Sequence, residues 1–338
     1  MKELIESVGY RMINSDERIL RFTVMQDNAG KSLSGFLSSR FPYRTSAEWD
    51  ALIGSGAVLL NGAVSTADHI LAEGNSIHFR PANVPEPWVD TEVTVVFEDE
   101  DIIVINKTGN LPVHPSGRYF NHTLWKILKD RFNVAEPIII NRLDRETSGI
   151  TLIAKNPQAA KICRQQFNAR SVTKKYMVLT EGTFQGSIHS RGYVGRDTSS
   201  LVRKKQRFEP SDSLRPVSER KAKWSDTLFT IKQQLNGISI ITAMPHTGRL
   251  HQIRATLAYL GYPVVGDKMY GLDEGIFLRF CEDAMTPEDI SKMRMKRQAL
   301  HASSLTIRHT ISSHPMVLTA SLPPDMQELI NTYSTSRR

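Results

Sequence analysis

Cysteine is scarce in this chain: Cys163 and Cys281 are the only two in 338 residues. Two cysteines cannot build a disulfide framework, so a reducing, cytoplasmic setting is expected. No cysteine or histidine cluster has the spacing of a zinc site, and no metal is expected. No stretch approaches the roughly 20 apolar residues of a membrane span, and the start, Met1-Lys2-Glu3-Leu4-Ile5-Glu6, lacks the long apolar core of a secretory leader. A glycine-rich phosphate loop and a dinucleotide fingerprint are also missing, so no nucleotide or other organic cofactor is expected. Internal repeats and low-complexity tracts are absent.

What is present points to two domains and an anionic partner. A length of 338 residues suits two domains of about 100 to 200 residues each, and 40% hydrophobic residues can fill their cores. Lys and Arg number 43 against 35 Asp and Glu, a formal charge of +8, which favours a polyanionic partner such as a nucleic acid. A monomer is the default expectation.

Residues 1–17 are mixed and polar and read as an arm. From there to residue 80 the pattern is that of a small α+β domain. Leu33, Phe36, Leu37 and Phe41 follow helical spacing up to Pro42. Thr45-Ser46-Ala47-Glu48 is a capping box opening a second helix, whose buried face is Trp49, Leu52 and Ile53 and whose stop is Gly54 with Gly56. Val58 to Val64 reads as a hairpin around Asn61-Gly62, and Ser76 to Phe79 as a further strand. Residues 81–89, with three prolines, form the expected linker.

Residues 90–338 then alternate strands with helices. Val93, Val95 and Phe97 alternate, Ile102 to Ile105 is a buried run, and Gly237 to Ala243 is strand-like. Asn156-Pro157 opens a helix carrying Ala160, Cys163 and Phe167, and Leu250, Ile253, Leu257 and Leu260 mark another that ends at Gly261. Residues 186–223, rich in Gly, Ser, Lys and Arg, are expected to be mobile loops. The pattern predicts an α+β domain around a largely antiparallel sheet.

The chemistry concentrates in Asn141-Arg142-Leu143-Asp144-Arg145-Glu146-Thr147-Ser148-Gly149. This segment lies between the apolar runs Pro137 to Ile140 and Ile150 to Ala154, which puts it in a turn at the end of a buried strand. Flanking arginines favour the anion of Asp144, which suits a nucleophile or an ion-pair anchor and not a general acid.

The same segment closely resembles the second motif of the RluA family of pseudouridine synthases, with Asn141 where the family usually has histidine. Thr247 to Arg254 with Leu260 to Gly271 resembles the family's third signature. Ile105-Asn106-Lys107 with Leu111 to Pro115 resembles its first, with Thr108 at a common proline position. Lys174-Lys175-Tyr176 and Gln298 to Ala302 match two more. The resemblance covers roughly residues 90 to 325 in the family's order.

It implies a long curved, mixed and mostly antiparallel sheet with a central cleft, and the isomerisation of uridine in ribosomal or transfer RNA, with ribosomal RNA favoured. It also implies roles: Asp144 as the essential carboxylate, Arg249 as its ion-pair partner, Arg142 in extruding the target base, and Tyr176 stacking on that base. Arg254 is expected at phosphate or as a local cap, and His251 and His301 are read as structural. The N-terminal helix pair resembles the RNA-binding domain named after ribosomal small-subunit protein S-four, with Lys31, Arg40 and Arg44 as its candidates for RNA contact.

Overall fold

A computed structural model describes residues 19–41, 44–79, 86–116, 119–213, 222–282 and 284–334. The expected arm, residue 80 and residues 81–85 of the expected linker lie outside the described residues. The chain divides into two compact units, residues 1–87 with 115–121 and residues 88–114 with 122–338.

The smaller unit contains β1 (Leu20–Thr23), α1 (Leu33–Arg40), α2 (Ser46–Gly54), β2 (Val58–Leu60), β3 (Ala63–Val64) and β4 (Ser76–Phe79). Its strands form an antiparallel sheet in the order β1-β4-β2-β3. The Thr45–Glu48 capping box forms in full. Asn61 and Gly62 both take positive φ, as the two-residue hairpin demands. Trp49 is fully buried and meets the Phe79 ring edge-on at 5.0 Å, so the two helices lie on the sheet through one aromatic-aliphatic core.

The larger unit is built on an 11-stranded sheet. Its elements are β5 (Thr94–Glu98), β6 (Ile102–Lys107), α3 (Leu124–Phe132), β7 (Ile138–Ile139), β8 (Ser148–Ala154), α4 (Pro157–Asn168) and β9 (Thr173–Glu181). They continue with β10 (Ser187–Arg196), β11 (Gln206–Pro210), β12 (Lys223–Gln234), β13 (Ile238–Pro245), α5 (Gln252–Tyr259), α6 (Gly275–Cys281), α7 (Pro287–Met293), β14 (Leu300–Arg308), β15 (Pro315–Thr319) and α8 (Pro324–Ser334). The strand order is β11-β10-β12-β13-β9-β14-β8-β6-β5, with β15 beside β14 and β7 beside β8. Pairing is antiparallel throughout except where β14 runs parallel to β8, so the sheet is mixed and mostly antiparallel, and the fold is α+β.

Within the expected loop segment 186–223, Ser187–Arg196 and Gln206–Pro210 instead form β10 and β11, while residues 214–221 lie outside the described residues. Tyr193, Val194 and Phe208 are buried in these strands, and that anchorage outweighs the polar composition of the segment. The helix expected from Leu250 begins at Gln252, and Leu250 is exposed. His251 takes a left-handed conformation ahead of the helix, which removes Leu250 from the face that Ile253 and Leu257 bury.

β14 divides the core and positions the site. Leu300 to Ala302 pair with β9 on one side, while His301 and Ala302 meet Ser148 and Gly149 of β8 on the other. Gly149 has φ +111, and a β-carbon there would run into the Ala302 backbone, so only glycine allows the strands this approach. The turn carrying Asp144 ends at this seam. Among the described residues, no helix is long and apolar enough to cross a membrane.

Candidate active site

Residues 141–147 connect β7 to β8 and are fixed from several directions. Asn141 donates to the Ile150 carbonyl at 3.0 Å and accepts from the Leu152 amide at 2.7 Å. It thereby ties the turn to the strand that follows it. Lys107 is fully buried, and its ammonium donates to the carbonyls of Thr108, Leu111 and Arg145 at 2.7, 3.0 and 3.1 Å. Burial pushes the Lys107 ammonium well below the usual lysine range, and Arg297 pushes the same way. Thr108 donates its hydroxyl to the Asp90 carbonyl, a bond that a proline there could not make.

The Gln298 to Ala302 signature closes the far side of the turn. Gln298 donates to the Thr147 hydroxyl at 2.6 Å, and Arg297, held by Asp325, donates to the Glu146 carbonyl. His301 is fully buried between the Ser148 hydroxyl and the Ala320 carbonyl. Burial holds its pKa down to about 4, so it acts as a neutral spacer that aligns β8 with β14.

Asp144 is the carboxylate this frame presents, with about a quarter of its side chain exposed. Its Oδ2 accepts from Arg254 Nη1 at 2.7 Å. The other two donors of that guanidinium, Nε and Nη2, grip Asp267 at 2.6 and 2.8 Å. Asp267 is itself buried and accepts the amides of Met269 and Tyr270. Burial raises the pKa of Asp144, but the charge of Arg254, with help from His251, more than reverses this, and the carboxyl titrates below the usual range. An arginine shared by two carboxylates leaves Asp144 paired yet not fully neutralised.

His251 Nε2 lies 4.0 Å from Asp144 Oδ1. Tyr270 accepts from the Gln206 amide, so its hydroxyl proton is free to go to His251 Nδ1 at 3.0 Å. The proton of the neutral imidazole is then on Nε2, facing the carboxylate. Burial and Arg254 hold the His251 pKa down to about 4. Tyr176, on β9, is half-buried, and burial with the nearby Asp144 charge pushes its phenol up to about 12.

Two sequence expectations need correction. Arg249 is not the partner of Asp144: its Nε donates to the Trp224 carbonyl at 2.8 Å, and the ion pair comes from Arg254. Arg254, expected at phosphate or as a cap, is instead buried, since three charge-assisted bonds satisfy it inside. The cause is the left-handed His251, which sends residues on its two sides in different directions. His251 and Asp267, both near or within the pairing network, were missed as site residues although each lies in the third signature. Arg142 is exposed on the same turn as Asp144.

In the smaller unit Lys31 is exposed and donates to Asn28 Oδ1, and Arg40 is exposed at the end of α1. Arg44 is half-buried with its guanidinium 5.8 Å from the Trp49 ring centre. The expectation that no metal-like cluster exists also meets an exception among the described residues: the fold gathers His189, Asp226 and His246. Their positions, 189, 226 and 246, are too far apart in sequence to be read as a motif.

The family model for RNA pseudouridylate synthase matches residues 101–259, a span that contains Asp144, Tyr176 and Arg254. The chain is 31% identical to ribosomal large subunit pseudouridine synthase D of Buchnera aphidicola, over 70% of this chain and 71% of that protein. It is 34% identical to the mitochondrial tRNA pseudouridine(32) synthase of Saccharomyces cerevisiae over 72% of this chain, and it spans about half the length (51%) of that protein. The structure of human RNA pseudouridylate synthase domain containing 1 superposes with a TM-score of 0.57 at 27% identity, covering 74% of this chain and 91% of the human one. A family match through the centre of the chain and identity above 30% over most of both this chain and the Buchnera protein mean that the chain belongs to the RluA family of RNA pseudouridine synthases, enzymes that isomerise uridine within RNA.

Proposed function

We propose that this chain converts specific uridines of structured RNA to pseudouridine, with Asp144 as the essential group and with the target base flipped out of its stack. The observation that carries this reading is the short ion pair from Arg254 to a partly exposed Asp144. Isomerisation breaks the bond from N1 of the base to C1′ of the ribose and forms one from C5 to C1′. The C5 proton leaves and N1 gains one, so no net oxidation or group transfer takes place. Asp144 acts on the ribose, as nucleophile at C1′ or as base at C2′, and both routes need its anion.

A stacked base is out of reach of a carboxylate at the bottom of a cleft, so the nucleotide must be extruded. Arg142, exposed on the same turn, is suited to fill the vacated stack. Tyr176 stacks on the extruded uracil and, being un-ionised at neutral pH, can relay the C5 proton through its hydroxyl. Arg254 holds Asp144 ionised, while the partly exposed Arg249 remains for phosphate.

The smaller unit serves as an S-four-type RNA-binding domain, with Lys31, Arg40 and Arg44 toward RNA. Ribosomal RNA is the favoured substrate class, in keeping with the Buchnera relative's name, and transfer RNA, named for the yeast relative, is the alternative.

The test is pseudouridine mapping of total RNA, by carbodiimide labelling and primer extension, in cells lacking the gene and complemented by wild type or Asp144→Asn. A site lost on deletion and restored only by wild type is expected. Restoration by Asp144→Asn would refute the role of the carboxylate.

A further inference from the structure

His189, Asp226 and His246 come from adjacent strands on the face of the sheet opposite Tyr176. On β12, Asp226 is paired directly with Arg191 of β10, two residues from His189, and His189 and Arg191 therefore share its face. On the other side, the His246 amide donates to the Asp226 carbonyl at 3.0 Å, one position beyond the Thr227–Pro245 pair. Tyr176 pairs with Ala243, and Ala243 with Phe229. By alternation, Tyr176, Ala243, Phe229 and Thr227 line one face, while Asp226, His246 and His189 lie on the other.

The donor set is chemically specific. Its three ligand atoms lie within 4.8 Å of one another. His189 Nε2 and Asp226 Oδ1 are hydrogen-bonded at 2.9 Å, a little closer than the roughly 3.4 Å between neighbouring ligands of a tetrahedral ion bound at about 2.0 to 2.2 Å, so a small rotation of the exposed His189 admits an ion in place of the bond. The imidazole rings are 6.3 Å apart, centre to centre, and both histidines are exposed, so His246 can close the remaining gap by rotating its side chain. Arg191 Nε lies 3.5 Å from Asp226 Oδ2, which leaves Oδ1 to the ion. Two imidazoles and one carboxylate suit a borderline divalent cation such as zinc, with water in the open position, and not magnesium or calcium.

We propose that His189, Asp226 and His246 form a site for a zinc-class divalent ion on the back of the sheet. An ion there would fasten β10 and β12 to the residue that opens the Thr247–Arg254 loop. Asp226 is also wired to that loop from the front: its amide donates to Thr247 Oγ1 at 3.0 Å, and its carbonyl accepts from Gln252 Nε2 at 3.1 Å. The ion is thus a clamp behind the turn that leads into the helix carrying Arg254, and it takes no part in the reaction at Asp144.

The test is titration of the tag-free, chelator-treated full chain with Zn²⁺ by calorimetry and with Co²⁺ by visible absorption. About one ion per chain is expected in wild type. Outer ligands of metal sites alone are worth about 10- to 100-fold in affinity, so His189→Ala and His246→Ala should each weaken binding by at least about 100-fold. Zn²⁺ should raise the melting temperature of wild type and leave that of either variant unchanged. Both residues are exposed, and unchanged melting without metal will show that the variants fold. Stoichiometric binding that survives both substitutions, or no binding by wild type, would overturn the proposal. So would variants that weaken RNA binding in chelator while leaving Zn²⁺ binding intact, which would assign the histidines to RNA. None of these readouts depends on pseudouridine formation.

Discussion

Arg254→Lys separates charge from geometry at the proposed catalytic carboxylate. Lysine keeps one positive charge but has no planar fork, so it cannot hold Asp267 through two bonds and reach Asp144 with a third. A hydrogen bond to a charged group is worth about 1.5 to 3 kcal/mol, and one pKa unit corresponds to about 1.4 kcal/mol. Losing the 2.7 Å bond to Asp144 should therefore raise its pKa by about 1 to 2. In wild type the carboxyl titrates below the ordinary aspartate range, so the acid limb of the rate profile lies low, and in the variant it should move up. At neutral pH most of Asp144 stays ionised in both proteins, so any loss on the plateau reports orientation and should appear in kcat more than in KM. Pseudouridine formation expels the C5 hydrogen, so tritium release from RNA labelled at uridine C5 follows the rate, and thermal melting of the same samples reports stability separately. An acid limb that stays in place, with stability intact, would show that Arg254 does not control the ionisation of Asp144.

Three further outcomes are expected. Gly149→Ala should destabilise the larger unit by more than about 3 kcal/mol, since both its φ of +111 and its contact with the Ala302 backbone exclude a β-carbon; chemical denaturation measures this. His301→Asn should flatten the acid limb of stability. Burial holds the histidine near 4 against an ordinary value of 6.5, so between those pH values the unfolded chain binds a proton that the folded protein refuses. Stability then falls as pH drops through this window, by about 3 kcal/mol in all, and the variant should lose that slope; equal slopes in urea melts from pH 7 to 4 would refute it. Removing residues 1–80 should weaken RNA binding and flatten its dependence on salt if Lys31, Arg40 and Arg44 touch phosphates; filter binding at two salt concentrations decides.

Local chemistry was legible in the sequence wherever it is settled by neighbours in the chain. Thr45 and Asn156 cap their helices as their positions suggest, and Asn61-Gly62 makes its turn. The α+β class followed from alternating strands, but the seam between β8 and β14 joins residues about 150 positions apart and left no periodic trace. Segment 186–223 misled because exposed and buried residues alternate there under a polar composition. At the site, the position of Asp144 was readable from its motif, while the choice between Arg249 and Arg254 was not. Both fall within one signature, and a single left-handed residue, His251, decides which guanidinium turns inward. His189, Asp226 and His246 were equally hidden, since only the register of three strands makes them neighbours.

The distribution of charge explains how Asp144 can stay anionic in a partly buried place without being quenched. Arg254 serves two carboxylates, so the trio carries one net negative charge, most of it open to solvent on Asp144 because Asp267 is enclosed. Lys107 lies behind the turn with no carboxylate in contact among the described residues, its ammonium held by three carbonyls. Its burial disfavours the charged form, and the field of Asp144 works against that penalty. By reciprocity a protonated Lys107 favours the Asp144 anion, so each group helps to keep the other charged. Held at a distance by carbonyls, Lys107 acts on the anion through its field alone and adds no hydrogen bond to the one that Arg254 makes to Oδ2, so Oδ1 stays open for the proposed step at the ribose.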